Sequence, residues 1–130
     1  MSDNKPLNRR EQRMRIIEIL YQYDMGMTPE KEGETYVDEM VFQVLNDRES
    51  IDQLIESVLE NYTLKRISTV DRAILRLASY ELSDTQTPAE IIIDEALRLT
   101  HIYTDLGDHK AVSFNNKVLD KLYKLIRGNK

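Results

Sequence analysis

The sequence predicts an all-α fold, and three observations carry that expectation. Every long apolar stretch repeats at spacings of three and four residues, the period of a helix with a buried face. No stretch alternates at period two over a strand's length, so no strand is expected. Cap signals separate the periodic stretches, as at Ser68-Thr69 and Thr87-Pro88; the hydroxyl oxygens serve the free N–H groups of a first turn, and proline fits its first position. The 130 residues are read as one domain, 1–130, of two packed three-helix bundles, with 1–7 as a flexible basic arm.

The first helix is expected from Asn8 to Tyr23, with Met14, Ile16, Ile17, Ile19, Leu20, Tyr21 and Tyr23 on a broad apolar face. Arg9, Arg10 and Arg13 continue that face at the front. Three guanidinium groups do not enter a core unpaired, so this turn is expected either to overhang the bundle or to fray, in both cases presenting them to solvent. Thr28 and Pro29 read as the cap and first residue of a second helix, interrupted at Gly33 and resuming through Tyr36, Val37, Met40, Val41, Val44 and Leu45. In the third, Ile51, Leu54, Ile55, Val58, Leu59 and Tyr62 share one face, and Asp52, Glu56 and Glu60 opposite read as solvated acid.

Ser68–Leu82 is the stretch around which the chain is organised. Its apolar residues cover roughly 220° of the helical wheel, against about 100° for an ordinary surface helix, so it should be packed on several sides. Arg72, Arg76 and Ser79 fill the narrow polar strip, whereas Asp71 and Glu81 fall inside the apolar arc. A carboxylate so placed needs a cation or several N–H donors; for Asp71, structural pairing and contact with a partner molecule both fit. The next helix runs from Pro88 to Thr104; Ile91-Ile92-Ile93 alone would suit a strand, but the helical period continues past it. Glu95 is expected to pair with Arg76 or Arg98. A last helix, Ala111–Ile126, turns Val112, Val118, Leu119, Leu122 and Ile126 inward, and Phe114 lies on its first turn beside the polar loop 105–110. Phe114 suits either core packing or half-exposure.

Composition narrows the function. Cysteine is absent, which excludes disulfides and thiolate metal sites. No apolar run approaches a membrane span and no signal-peptide core is present, so a cytoplasmic protein without membrane contact is expected. The net charge of −5 opposes indiscriminate nucleic-acid binding. Both ends are nevertheless basic: Lys5, Arg9, Arg10, Arg13 and Arg15 at the front, and Lys117, Lys121, Lys124, Arg127 and Lys130 at the back. Such asymmetry suits a polyanion. His101 and His109 have no evident third ligand, Glu95 has no second acid–base group at a defined spacing, and no glycine-rich phosphate loop is found. Catalytic residues, metal and cofactor are all expected to be absent.

The stretch Val70–Leu82 (VDRAILRLASYEL) resembles the central-helix motif of the NusB family of bacterial transcription antitermination factors, and Pro88–Leu97 is similar to a second family motif. The family's Phe-Val-Asn-Gly-Val-Leu-Asp signature stands here as Phe114-Asn115-Asn116-Lys117-Val118-Leu119-Asp120, departing at Asn115 and Lys117. Arg9-Arg10, Arg13 and Leu20-Tyr21 look like the family's arginine-rich first helix, whereas 26–50 matches no motif. The resemblance implies binding of boxA RNA in nascent ribosomal RNA leaders together with ribosomal protein S10 (NusE), within an RNA polymerase antitermination complex. It also allows a homodimer. It maps RNA contacts to Lys5, Arg9, Arg10, Arg13, Tyr21, Asp71 and Phe114. The chemistry agrees: arginine forks suit phosphates, an aromatic suits an unpaired base, and a carboxylate accepts from a base edge. Few phosphate contacts on an acidic body imply weak binding alone, strengthened by a partner that covers the same RNA. Two other readings are a helical module that binds protein only, and a free-standing relative of the RNA-recruiting domain of a ribosomal RNA cytosine methyltransferase, for which the chain leaves no room for a cofactor-binding sheet.

Overall fold

In the computed structural model, which describes residues 5–128, the periodic stretches form six α-helices and one 3-10 turn, with no strand among the described residues. The helices are α1 (Arg9–Asp24), α2 (Thr35–Asn46), α3 (Arg48–Val58), α4 (Thr69–Asp84), α5 (Ala89–Tyr103) and α6 (Lys110–Arg127), and the 3-10 turn Leu64–Arg66 precedes α4. Of the basic arm, residues 1–4 lie outside the described residues, and Lys5 is exposed ahead of α1.

Side-chain caps explain where α1, α2 and α4 begin, whereas α5 starts after Pro88 without the expected Thr87 cap. Asn8 Oδ1 accepts the Glu11 N–H at 2.8 Å while the Glu11 carboxylate accepts the Asn8 N–H at 2.9 Å, so two orphan donors of α1 are satisfied reciprocally. At α4 the Ser68 hydroxyl accepts the Asp71 N–H at 3.2 Å. The second helix does not start at Thr28-Pro29 as expected. Gly33 takes a left-handed φ of 87°, and Asp38 accepts the N–H groups of Glu32 and Gly33 at 2.8 and 2.9 Å. Those bonds hold the approach irregular until Glu34 caps Val37 at 2.9 Å. The third helix also ends early: Asn61 is left-handed, and Glu56, expected in solvent, accepts the Leu64 N–H at 2.6 Å. The chain folds back over the end of α3, and Tyr62 is turned outward rather than inward.

The expected post is present. α4 touches each of the other five helices, and every residue from Ala73 to Leu82 is buried, Arg76 and Ser79 of the predicted polar strip included. Around it lie two three-helix bundles, α1–α3 and α4–α6, sharing a core that includes Ile17, Ile55, Ile74, Leu75, Leu119 and Leu122. Each such side chain stabilises the fold by roughly 1.5–3 kcal/mol through burial.

Polar pairs set the helix directions. Arg13 meets Glu81 and Asp24 meets Arg72, so α1 runs antiparallel to α4. Arg10 meets Glu95 and Glu18 meets Tyr103, so α1 and α5 lie side by side and parallel. Burial and the Glu18 contact push the Tyr103 phenol up to about 12; it remains a hydrogen-bond donor at any physiological pH. Arg76 pairs with Asp52 at 2.8 Å and Asp24 at 3.4 Å, which removes Asp52 from the solvated acid expected on α3 and leaves Arg76 unavailable to Glu95. Arg127 binds the carbonyl oxygens of Leu82 and Thr87 at 2.9 and 2.7 Å and so closes the end of α4.

The Arg13–Glu81 pair corrects one expectation. Arg13 does not project to solvent; its guanidinium forms two bonds to Glu81, at 3.0 and 2.8 Å, with both side chains buried. Removing one partner strands the other's charge in the core. Arg13→Ala should therefore destabilise the fold by about 3–5 kcal/mol in urea denaturation, whereas Arg13→Leu combined with Glu81→Leu should recover most of that loss.

Candidate nucleic-acid interface

The end of the bundle where α4 begins is built by three short-range features. Ser68 and Asp71 open α4; Arg66 sits on the 3-10 turn, with Tyr62 just before it; Lys110, Ala111 and Phe114 occupy the first turns of α6. Together with Ile67 they line a groove of about 390 Å³. Arg72 secures this end, donating to the carbonyls of Lys65 and Ile67 at 3.0 and 2.9 Å and to Asp24 at 3.0 Å. The 3-10 turn is thereby fastened to α4 and to the end of α1.

Within the groove the Tyr62 and Phe114 rings lie 5.3 Å apart, tilted by 58°, and the Arg66 guanidinium stands 5.6 Å from the Tyr62 ring centre. Tyr62 is exposed, and Phe114 is half-buried against the core, so both expected aspects of Phe114 hold at once. Asp71 has no cationic partner among the described residues. Its Oδ2 accepts from the Ser68 hydroxyl at 2.8 Å, and its Oδ1 lies 2.9 Å from the Thr104 hydroxyl and 3.1 Å from Asn115 Nδ2. Asn115 is fully buried and also donates to Thr100 Oγ1 at 3.0 Å. Its departure from the resembled motif thus creates a polar link from α6 to α4 and α5. The groove presents two aromatic faces, two cations and one carboxylate oriented by neutral donors.

The arginine-rich front differs from the expected cluster. Arg9 lies over the Tyr36 ring at 3.6 Å, and Arg13 is buried. Arg10, about half exposed, forms a two-bond pair with Glu95 at 3.2 Å. Glu95 is 3.6 Å from Arg98, one of its two expected partners; the hydrogen bond from Arg10, foremost, holds its carboxyl below the usual range. Tyr21 is half-buried and follows Arg10 and Glu18 on one stripe of α1 at helical spacing. The seam between α1 and α5 accordingly leads from Arg10 past Tyr21 toward Asp71. Ten residues of α4 separate Asp71 from Glu81, about 15 Å, so the front and the groove are opposite ends of one flank. The groove unites Asp71 and Phe114; Arg10 and Tyr21 lie on the seam; Arg9 and Arg13 point elsewhere.

Three groove residues were missed from the sequence: Tyr62, Arg66 and Lys110. The spacing of α3 placed Tyr62 in the core, and only the Asn61 turn could have signalled otherwise. The histidines, read as lacking a third ligand, prove to flank Asp105. No helix among the described residues is long and apolar enough to cross a membrane.

A family model described as the NusB family matches residues 9–124. The transcription antitermination protein NusB of Geobacillus kaustophilus is 35% identical over 127 residues, covering 89% of this chain and 95% of the relative. That of Bacillus subtilis is 32% identical with the same coverage. The solved structure of T. maritima NusB aligns with a TM-score of 0.79 at 28% identity, over 92% of this chain and 93% of that one. A structure of antitermination factors NusB and NusE in complex with double-stranded RNA aligns with a TM-score of 0.76 at 26% identity, over 90% of this chain and 96% of the matched chain.

The Arg10–Glu95 pair has a pH signature. Because the folded-state carboxyl of Glu95 is lowered, its contribution is present above the ordinary carboxylate range and is lost as pH falls through the folded value. Arg10 is exposed enough for solvent to screen the pair, so Arg10→Ala should lower the melting temperature only slightly at neutral pH. Thermal melts should show that cost shrinking as the solution is acidified below the ordinary carboxylate range.

Proposed function

Because the chain belongs to the NusB family, we propose that it is an RNA-binding antitermination factor that holds boxA-type single-stranded RNA of a nascent ribosomal RNA transcript together with ribosomal protein S10 (NusE). The pair would act within an RNA polymerase antitermination complex. The observation that carries this reading is the groove of Tyr62, Arg66, Asp71, Lys110 and Phe114. Unpaired bases can be splayed onto aromatic faces and read at their edges, which duplex RNA hides in a deep, narrow groove. Tyr62 and Phe114 offer stacking faces, Arg66 and Lys110 offer phosphate contacts, and Asp71 offers an acceptor to a base amino group.

In this reading Arg10 and Tyr21 extend the track along the α1–α5 seam. Arg10 exchanges Glu95 for a phosphate, one ion pair for another, so its gain is small and salt-sensitive. Arg13 contributes by holding α1 against α4 rather than by touching RNA, and Lys5 and Arg9 are exposed at the front of α1, away from the groove. A short cationic track on a chain of net charge −5 predicts weak binding alone, strengthened by a second protein on the same RNA. The complex of NusB and NusE with RNA in a similar structure supports both partner classes. The role is one of binding, without a catalytic step.

A salt titration with a boxA-like oligoribonucleotide tests the reading. Affinity should fall with salt at a slope of about −0.7 for each phosphate neutralised. Tyr62→Ala should weaken binding by about fivefold or more, the cost of losing one stacked base, with an unchanged melting temperature because Tyr62 is exposed. A flat salt response, or full affinity in both Tyr62→Ala and Phe114→Leu, would rule the groove out and leave the protein-only module.

A further inference from the structure

The loop between α5 and α6 gathers the chain's two histidines around one acid, an arrangement the groove does not use. His101 stands in the last turn of α5, and His109 precedes α6 with a left-handed φ of 60°. Their Nδ1 atoms lie 2.9 and 3.3 Å from the same oxygen, Oδ2 of Asp105. The two rings are nearly parallel, 13° apart in plane and 6.5 Å between centres. The Asp105 side chain is largely covered, although the residue as a whole is half-buried, whereas both imidazoles face solvent. Its other oxygen, Oδ1, accepts the backbone N–H groups of Gly107 and His109 at 2.9 and 3.1 Å, so Oδ2 is aimed between the rings by the fold of the loop.

We infer that His101, Asp105 and His109 form a binding site for a divalent transition ion of the zinc class, which clips the loop entering α6. Around a tetrahedral zinc ion, bonds of about 2.0–2.2 Å to nitrogen and carboxylate oxygen put neighbouring donor atoms about 3.3–3.5 Å apart. The two contacts to Oδ2 fall near that separation, and the three residues each bring a ligand atom within 4.8 Å of the others. Two imidazoles and one carboxylate are a donor set that zinc accepts, with water completing the shell. Ligation requires each imidazole to carry its proton on Nε2, which leaves the Nδ1 lone pair for the ion; no proton need leave a neutral ring. The backbone donors on Oδ1 act as the outer shell that orients a ligating carboxylate. The ion would also sit at the C-terminal end of α5, where the helix dipole favours positive charge. A clip here fixes the start of α6, the turn that carries Lys110 and Phe114.

The test uses the full chain without a histidine tag, stripped with a chelator and titrated with Zn²⁺ by calorimetry. The two histidines and the absence of cysteine mean that imidazole-dependent uptake reports this site alone. One equivalent should bind, and the melting temperature should rise with the ion by mass action. His101→Gln keeps a helix-compatible residue, and His109→Asn keeps one that tolerates the left-handed backbone, so both should fold as the parent does. Each should weaken Zn²⁺ at least ~10-fold, the loss that even outer-shell changes cause. No saturable uptake, or equal uptake by the parent and both variants, would overturn the site and leave a hydrogen-bonded trio. RNA binding by the groove is measured separately, so the two outcomes are independent.

Discussion

Glu81 lies inside the packed face of a helix buried along its whole middle, and its charge has to be answered there. An isolated carboxylate in such a position costs several kcal/mol, and Arg13 answers it with two short bonds. The same demand recurs along α4. Arg76 is met by Asp52 and Asp24, Arg72 by carbonyl oxygens and Asp24, and Asp71 by hydroxyl and amide donors. Apolar burial makes α4 the post, but it is indifferent to helix direction and register. The polar pairs are not. They align α1 antiparallel to α4, lay α5 beside α1, and draw the 3-10 turn and the first turns of α6 to one end.

That division of labour accounts for where the candidate interface falls. Side chains consumed in fixing register, such as Arg13 and Arg76, are buried and have no spare valence for a ligand. Those left over collect where elements start rather than where they pack. Tyr62, Arg66, Lys110 and Phe114 all stand at helix boundaries, and Asp71 is the one α4 carboxylate whose partners are neutral. In the proposed reading such a groove would have modest affinity, because it offers only two cations, Arg66 and Lys110, beside one carboxylate. On the proposed function, specificity would rest on stacking and on a single acceptor, and affinity on a second protein that shares the RNA.

Most of the fold was legible in the sequence because its signals are local. Ser68 caps α4, the apolar arc of α4 announced packing on several sides, and the period past Ile91-Ile92-Ile93 settled helix over strand. What escaped depends on partners far along the chain. Arg13 looked solvent-bound because Glu81, 68 residues away, is not evident from α1 alone. Asp52 and Glu56 looked solvated because Arg76 and the Leu64 N–H come from later elements. The late start of α2 turns on Asp38 reaching back to the amides of Glu32 and Gly33, a loop detail that overrides an ordinary Thr-Pro start. Within the interface, Asp71 and Phe114 could be found through motif resemblance, whereas Tyr62 could not, since its spacing fits the core face of a helix that in fact stops one turn earlier.

The most direct measurement of this account is an amide and arginine side-chain NMR titration with single-stranded boxA-like RNA. The largest shifts are expected at 62–71 and 110–114, with smaller ones along the seam at Arg10 and Tyr21 and an undisturbed Arg13 guanidinium. A footprint confined to the front of α1, with the Arg13 signal moving and the groove silent, would contradict it.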